Sequence, residues 1–206
     1  MNIKIIGTDH LMKAEEIIRI IEIEKPDIIG VELCETRLNM MVLNVQQETQ
    51  KNESIIGKIS QEIKKKAEEE KLTYGSDMIT ASKYALENKI PLSLLDKSVI
   101  DISYSMSKIP QNEQLGFMNE LNEFQKKTLK EQTKNIDENK VLDELKTKYP
   151  MAYEILIVSR DLFITYRIQR LLIKFPDKKI LCLLGKGHIN SINKLLELDS
   201  EQKEKE

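Results

Sequence analysis

The 206 residues, 23.9 kDa, fit a single domain, and 40% hydrophobic content is enough to bury a core without disulfides or a structural metal. Charged residues make up 32% of the chain, yet 32 Lys+Arg against 34 Asp+Glu leave a net charge of -2, which speaks against a polyanion-binding surface and against nucleic acid as a partner. No apolar run approaches the ~20 residues of a membrane span, and the N-terminus opens into a strand-like pattern without signal-peptide architecture, so a soluble, cytoplasmic protein with no membrane span is expected.

Ile3 to Ile6 form a β-branched run ending at Gly7, and Ala14 to Glu24 then repeats Ile at helical spacing, which predicts a strand followed by a helix. Lys25-Pro26-Asp27 breaks that helix, and Ile28, Ile29, Val31 and Leu33 make a second strand whose continuous apolar character suits a sheet covered on both faces. A β-α-β unit crosses over right-handed with parallel strands, so the ends of both strands, near His10 and Glu32, are expected on one sheet edge. Glu53 to Lys71 predicts a helical insertion with Ile56, Ile59, Ile63 and Ala67 along one stripe. Ser76 to Glu87 reads as a helix, Leu92 to Leu95 as a third strand ending at Asp96, and Lys179 to Leu184 as a fourth ending at Gly185.

Between the last two strands, Gln111 to Lys174 predicts three helices separated near Asn135 and at Pro150. Leu115, Met118, Leu121 and Phe124 there suit either a cap over the active edge or a homodimer contact through the insertions. Ile189, Ile192, Leu195 and Leu196 mark a final helix. Residues 1–198 are read as one α/β domain, with a mostly parallel central sheet of at least four strands, helices on both faces and long helical insertions. Asp199 to Glu206 is a charged tail expected to be disordered. Cys34 and Cys182, far apart and with no CxxC, read as buried free thiols.

The chain has two histidines, His10 and His188, and each completes a strand followed by Gly-x-x-His, at Gly7 and at Gly185. With seven glycines in the chain, that coincidence has a chance of about one in a thousand. Gly7, Gly185 and Gly187 are expected to turn the backbone off the strands so that two imidazoles converge over the carboxyl edge. Glu32 is an ionisable side chain in an otherwise apolar strand, and a buried carboxylate there costs several kcal/mol unless paired, hydrogen-bonded or metal-bound. His10, Glu32 and His188 together suit a divalent Zn, Mn, Co or Fe ion with positions left for water and substrate. Asp9, Glu35 or Asp96 would then receive a proton from bound water. Arginine is rare, with five in the chain. Arg37 and the pair Arg160-Asp161 are therefore candidates either to clamp a substrate carboxylate or to orient Glu32, with surface ion pairs as the plain alternative. Asp96 is read either as part of the site or as a helix cap, and a salt bridge to Arg37 is the plain account of Glu32.

The segments Ile-Ile-Gly-Thr-Asp-His, Lys25-Pro26-Asp27 through Val31-Glu32-Leu33-Cys34-Glu35-Thr36-Arg37, Gly75-Ser76-Asp77-Met78, Ser159-Arg160-Asp161 and Gly185-Lys186-Gly187-His188 resemble the TraB/PrgY (pheromone-shutdown) family. The resemblance runs from residue 3 to about 192. The family is related to Tiki-type metalloproteases and, more distantly, to the erythromycin esterase/ChaN-like fold. It implies metal contact by His10 and His188, a catalytic or metal-binding role for Glu32, and supporting roles for Arg37, Asp96, Arg160 and Asp161. Ser159 stands where the family has Glu, Asp77 where it has Glu, and Lys97 where relatives often have Arg, and the membrane helices of many members are absent. The expected function is a metal-dependent hydrolase of peptide or amide bonds, with a peptide or small-molecule substrate; a non-catalytic ligand-, peptide- or haem-binding regulatory module is the alternative. Phosphate capture at Gly185-Lys186-Gly187-His188 is a lesser reading, because the endings of both nucleotide-loop motifs are missing.

Overall fold

The computed structural model of the protein describes residues 2–8, 12–41, 75–131 and 138–203. The elements run β1 (Ile3–Thr8), α1 (Ala14–Glu24), β2 (Ile28–Val31), α2 (Glu35–Met41), α3 (Ser76–Glu87) and β3 (Leu92–Leu94). They continue with α4 (Val99–Met106), α5 (Gln111–Glu131), α6 (Glu138–Lys148), α7 (Pro150–Tyr153), a π-helical turn (Glu154–Val158), α8 (Ser159–Lys174), β4 (Ile180–Gly185) and α9 (Lys186–Lys203). The predicted helix over Glu53 to Lys71 falls outside the described residues, as do Asp9 and His10.

The four strands form one parallel sheet in the order β1-β4-β2-β3. The α/β class, the helices on both faces and the long helical insertion between β3 and β4 are as the sequence predicts. β4 lies between β1 and β2, and its six residues are all buried. Its continuous apolar run therefore serves two faces, by strict alternation. Leu181 and Leu183 join Ile29 and Val31 under α1 and α3, where Ile17, Ile21, Ala81 and Ala85 close the layer. Ile180, Cys182 and Leu184 point the other way, against Ile164 and Ile168 of α8 and Ile192 and Leu196 of α9. Each fully buried Ile or Leu contributes about 2 kcal/mol of transfer free energy, so this central strand is the main hydrophobic anchor. Cys34 and Cys182 are buried free thiols, and burial pushes the Cys182 thiol up to about 12.

A third apolar cluster, Ile102, Met106, Ile109, Phe117, Leu145 and Ala152, builds a helical layer from α4 to α7. Met118 and Leu121 pack against it. Those two side chains of the stripe on α5 thus pack on the chain's own interior, and Leu115, 41% exposed, faces outward. Phe117 meets the Tyr149 ring edge-on at 6.4 Å. Gly116 makes room for that ring, since a Cβ there would lie 2.3 Å from Tyr149 Cε1.

Three local expectations change. Gly7 and Gly185 lie within β1 and β4, and among the described glycines only Gly75, which precedes α3, has positive φ. Gly7 instead permits close approach of α9: a Cβ there would stand 2.9 Å from Ile189 Cγ1 and 3.2 Å from Lys186 Cγ. Gly187 is exposed with open space where a Cβ would sit, so nothing around it requires glycine. β2 ends at Val31, ahead of Leu33. The charged tail is helical as far as Lys203, because residues 195–203 contain good helix formers and no breaker.

Candidate functional site at the carboxyl edge of the sheet

Parallel pairing brings the ends of β2, β3 and β4 together. The ladder continues one step beyond the strands: the Glu32 N–H donates to the Leu183 carbonyl at 3.2 Å, and the Asp96 N–H to the Leu33 carbonyl at 3.2 Å. Both carboxylates therefore start from backbone fixed by the sheet, and both are buried, at 4% exposure each. The register of β1 against β4 pairs Thr8 with Gly185. The Thr8 hydroxyl, at 3.4 Å from the Leu184 carbonyl, ties the two strand ends together.

The structure joins six charged side chains across this edge: Arg37, Asp96, Arg160, Glu32, His188 and Asp161. Asp96 accepts from Arg160 Nε on Oδ1 and from Nη2 on Oδ2, both at 2.9 Å, a two-toothed guanidinium pairing. Arg37 donates to Asp96 Oδ2, and the Lys97 N–H donates to Oδ1 at 2.8 Å. Arg160 Nη2 also donates to Glu32 Oε1, and its Nη1 to the Leu156 carbonyl at 3.2 Å. Glu32 Oε2 accepts the Gly185 N–H at 2.7 Å. His188 Nδ1 lies 2.5 Å from Asp161 Oδ1, while its Nε2 stands 3.5 Å from Glu32 Oε1.

Several expectations about partners are corrected here. Glu32 pairs with Arg160 rather than Arg37, whose own partner is Asp96. Arg160 and Asp161, adjacent in sequence, do not pair with each other. The first reaches Asp96 and Glu32, the second His188. Arg160 is thereby consumed by protein acceptors and orients Glu32 instead of clamping a substrate. Asp96 is not a helix cap, for Ser98 caps α4 by accepting the Ile100 N–H at 3.2 Å.

Electrostatics divides the network in two. Burial opposes ionisation of Asp96, but the Arg160 and Arg37 charges outweigh it and hold the carboxyl below its ordinary range. A carboxylate so satisfied is a poor proton acceptor, which removes Asp96 from that role. Burial likewise disfavours the Arg160 and Arg37 cations, and the Asp96 and Glu32 charges reverse the balance, so both are raised. His188 follows the same logic. Burial alone would strip its proton, but the Glu32 charge and hydrogen bonding to Asp161 and Glu32 push it up to about 9. This end of the network favours positive charge at Nε2.

Three contributions were not legible in the sequence, although Gly185 itself was expected at the site as a turn. The Gly185 N–H acts through the backbone, a role that no side-chain pattern signals. The π turn delivers Arg160 and Asp161 together, and its only trace in sequence is the unbroken apolar run Ile155 to Val158. Tyr153 lies near enough for Asp161 to act on it: burial, then the Asp161 and Asp143 charges, raise its phenol.

Among the described residues, no group of three or more His, Cys, Asp and Glu side chains is arranged to hold a metal ion. Asp77, which stands where the resembled family has Glu, is fully buried in the first turn of α3. No helix of the described residues is long and apolar enough to cross a membrane. No protein-family model matches the chain, and comparison with curated proteins finds no match.

Proposed function

We propose that the chain is a hydrolase of peptide or amide bonds that works with a divalent metal ion, and that it is a diverged member of the TraB/PrgY family it resembles. The observation that carries this reading is the mutual placement of His188 Nε2 and Glu32 Oε1, 3.5 Å apart. Two donors of one tetrahedral ion, each about 2.1 Å from it, are separated by about 3.4 Å, so the pair fits such an ion. Each donor is also held from behind: Asp161 fixes Nδ1 and with it the ring orientation, and Arg160 with the Gly185 N–H fixes the carboxylate. A carboxylate behind a ligating imidazole raises its basicity, and the arginine holds a cation against Glu32. His10, two residues beyond Thr8 in sequence, is the expected further ligand.

When bound, the ion would supply an acidified water at neutral pH and a Lewis acid for the scissile carbonyl. The chain's own residues supply the fixed frame. Asp96 is buried with Arg37 and Arg160 both bonded to it, so Glu32 need not reorganise as charge moves at the site. The test is elemental analysis of wild-type protein beside Glu32→Gln and His188→Ala after re-addition of Mn, Co, Zn and Fe, with peptide hydrolysis followed by mass spectrometry with and without a chelator. The proposal expects near-stoichiometric metal that both variants lose, and chelator-sensitive cleavage. Absence of metal from the wild type, or its retention by both variants, refutes it.

One observation favours the alternative of a ligand-, peptide- or haem-binding regulatory module. Three carboxylates, Glu32, Asp96 and Asp161, meet two guanidiniums and an imidazole that holds its proton up to about 9, so the network closes in charge with a proton in place of a metal. That reading expects metal-free protein, and a haem titration whose Soret change disappears in His188→Ala.

A further inference from the structure

We propose that Lys97 binds a carboxylate of the ligand, making the site selective for peptides that present a free carboxylate beside the bond or group held at Glu32 and His188. The inference uses the proposed function only to say where the rest of the ligand lies.

Each of the other network cations on this edge is matched. Arg37 and Arg160 meet Asp96, Arg160 meets Glu32, and His188 meets Asp161. Lys97 directly follows Asp96, yet among the described residues its ammonium meets no carboxylate. The hydrogen bond its ammonium makes among those residues is a long one, 3.4 Å from Nζ to the Ser159 hydroxyl. Ser159 spends its own proton on the Ile155 carbonyl at 2.8 Å, so it turns a lone pair toward the ammonium. Among the described residues nothing takes its other two Nζ donors, which a ligand carboxylate could use.

Placement supports the role. Ser159 is the neighbour of Arg160, so the Lys97–Ser159 contact runs beside the Asp96–Arg160–Glu32 chain of bonds. Lys97 is half-buried, and its stem is held instead of sweeping through solvent. That placement costs side-chain entropy, which a merely solvated lysine avoids.

The experiment is titration calorimetry of the full-length protein, at low salt, with acetyl-trialanine, with its C-terminal amide and with inorganic phosphate, for wild type, Lys97→Ala and Lys97→Arg. The wild type is expected to bind the acid about tenfold more tightly than the amide. In Lys97→Ala the acid should fall to the affinity of the amide, whose own binding is unchanged, and Lys97→Arg should restore most of the preference. Equal binding of acid and amide by wild type, a preference that survives in Lys97→Ala, or no binding of either peptide at about 10 mM overturns the assignment. Lys97-dependent binding of phosphate without that of the acid overturns the carboxylate choice. Metal content is measured on the same samples and separates the two ideas. Metal-free protein with a Lys97-dependent acid preference ends the hydrolase reading alone, and metal-loaded protein without that preference ends the lysine assignment alone.

Discussion

Replacing Arg160 with Leu tests whether the arginine is the keystone of the buried network. The guanidinium makes two bonds of 2.9 Å to Asp96, one to Glu32 and one of 3.2 Å to the Leu156 carbonyl, with its side chain 14% exposed and those of the carboxylates at 0% and 4%. After the change Asp96 keeps Arg37 and the Lys97 N–H, and Glu32 keeps the Gly185 N–H and His188. Losing one partner from a buried ion pair costs about 3–5 kcal/mol, because the charge left behind is poorly solvated. The upper half of that range is expected here, since two carboxylates are affected, while the remaining donors keep the cost from doubling. The pH dependence has a definite sign. In the wild type the depressed pKa of Asp96 gives stability that is present above its unfolded value of 3.8 and lost as pH falls through the folded one. In the variant, loss of the guanidinium raises the Asp96 carboxyl, so the folded state gains a proton more readily and the deficit shrinks as pH falls. Urea unfolding followed by circular dichroism at pH 8 and pH 5 should show a smaller difference between the proteins at pH 5. Arg167→Leu, which removes an exposed bond to the Leu94 carbonyl, serves as the control and should cost under about 1 kcal/mol. A cost for Arg160→Leu comparable with that control, or one identical at the two pH values, would refute the reasoning.

Other consequences follow from the same structure. With metal removed, His188 held up to about 9 against an ordinary 6.5 contributes about 3 kcal/mol that is fully present below pH 6.5 and disappears as pH rises through 9; thermal melts from pH 6 to 10 in chelator should show this loss, and Asp161→Asn should reduce it while lowering the imidazole pKa read by NMR. Gly7→Ala drives a methyl into Ile189 and Lys186, and should cost about 1–3 kcal/mol in chemical denaturation. The Cys182 thiol, buried and held near 12, should react with a thiol reagent only at the rate of global unfolding, so that labelling in the native state at pH 8 refutes the packing around β4.

Much of the frame was readable because its signals are local. A strand buried on both faces needs an unbroken apolar run, and Ile180 to Leu184 shows one; α1 ends where Lys25 adopts a left-handed conformation ahead of Pro26. Glu32 stood out as an ionisable group in an apolar segment, and His188 through its Gly-x-x-His setting. Partnership was less legible. Glu32 finds Arg160 across 128 positions, and His188 finds Asp161 across 27, so pairing depends on which helix face meets which strand end. The sequence invited pairs between near neighbours, Glu32 with Arg37 and Arg160 with Asp161, and the fold separates both. α4 escaped notice because Val99 to Met106 mixes β-branched residues and serines, and tertiary packing of Ile102 and Met106 holds it helical. The β1-β4-β2-β3 order is set by long-range pairing that no local pattern encodes.

That order also explains why the edge is polarised. β1 leads to α1, which packs on one face of the sheet, while its neighbour β4 leads to α9 on the other, so the connections diverge between those two strand ends. In open parallel sheets such a divergence opens the crevice where ligands bind. His188 lies at its rim on the first turn of α9, and Glu32, one strand further on, faces the same Nε2. Moving toward β3, the polar groups become progressively more satisfied: Glu32 has partners on both oxygens, and Asp96 has four donated bonds. The far side acts as a fixed foundation, and the near side sets the buried His188 Nε2 against Glu32. Variants should divide along that line. Asp96→Asn should lower stability with little change in ligand affinity per folded molecule. His188→Ala should cost less stability and abolish metal or haem binding. If instead both variants lose stability equally and neither changes binding, the edge is a structural ion-pair network throughout, and the reactive end must be sought elsewhere.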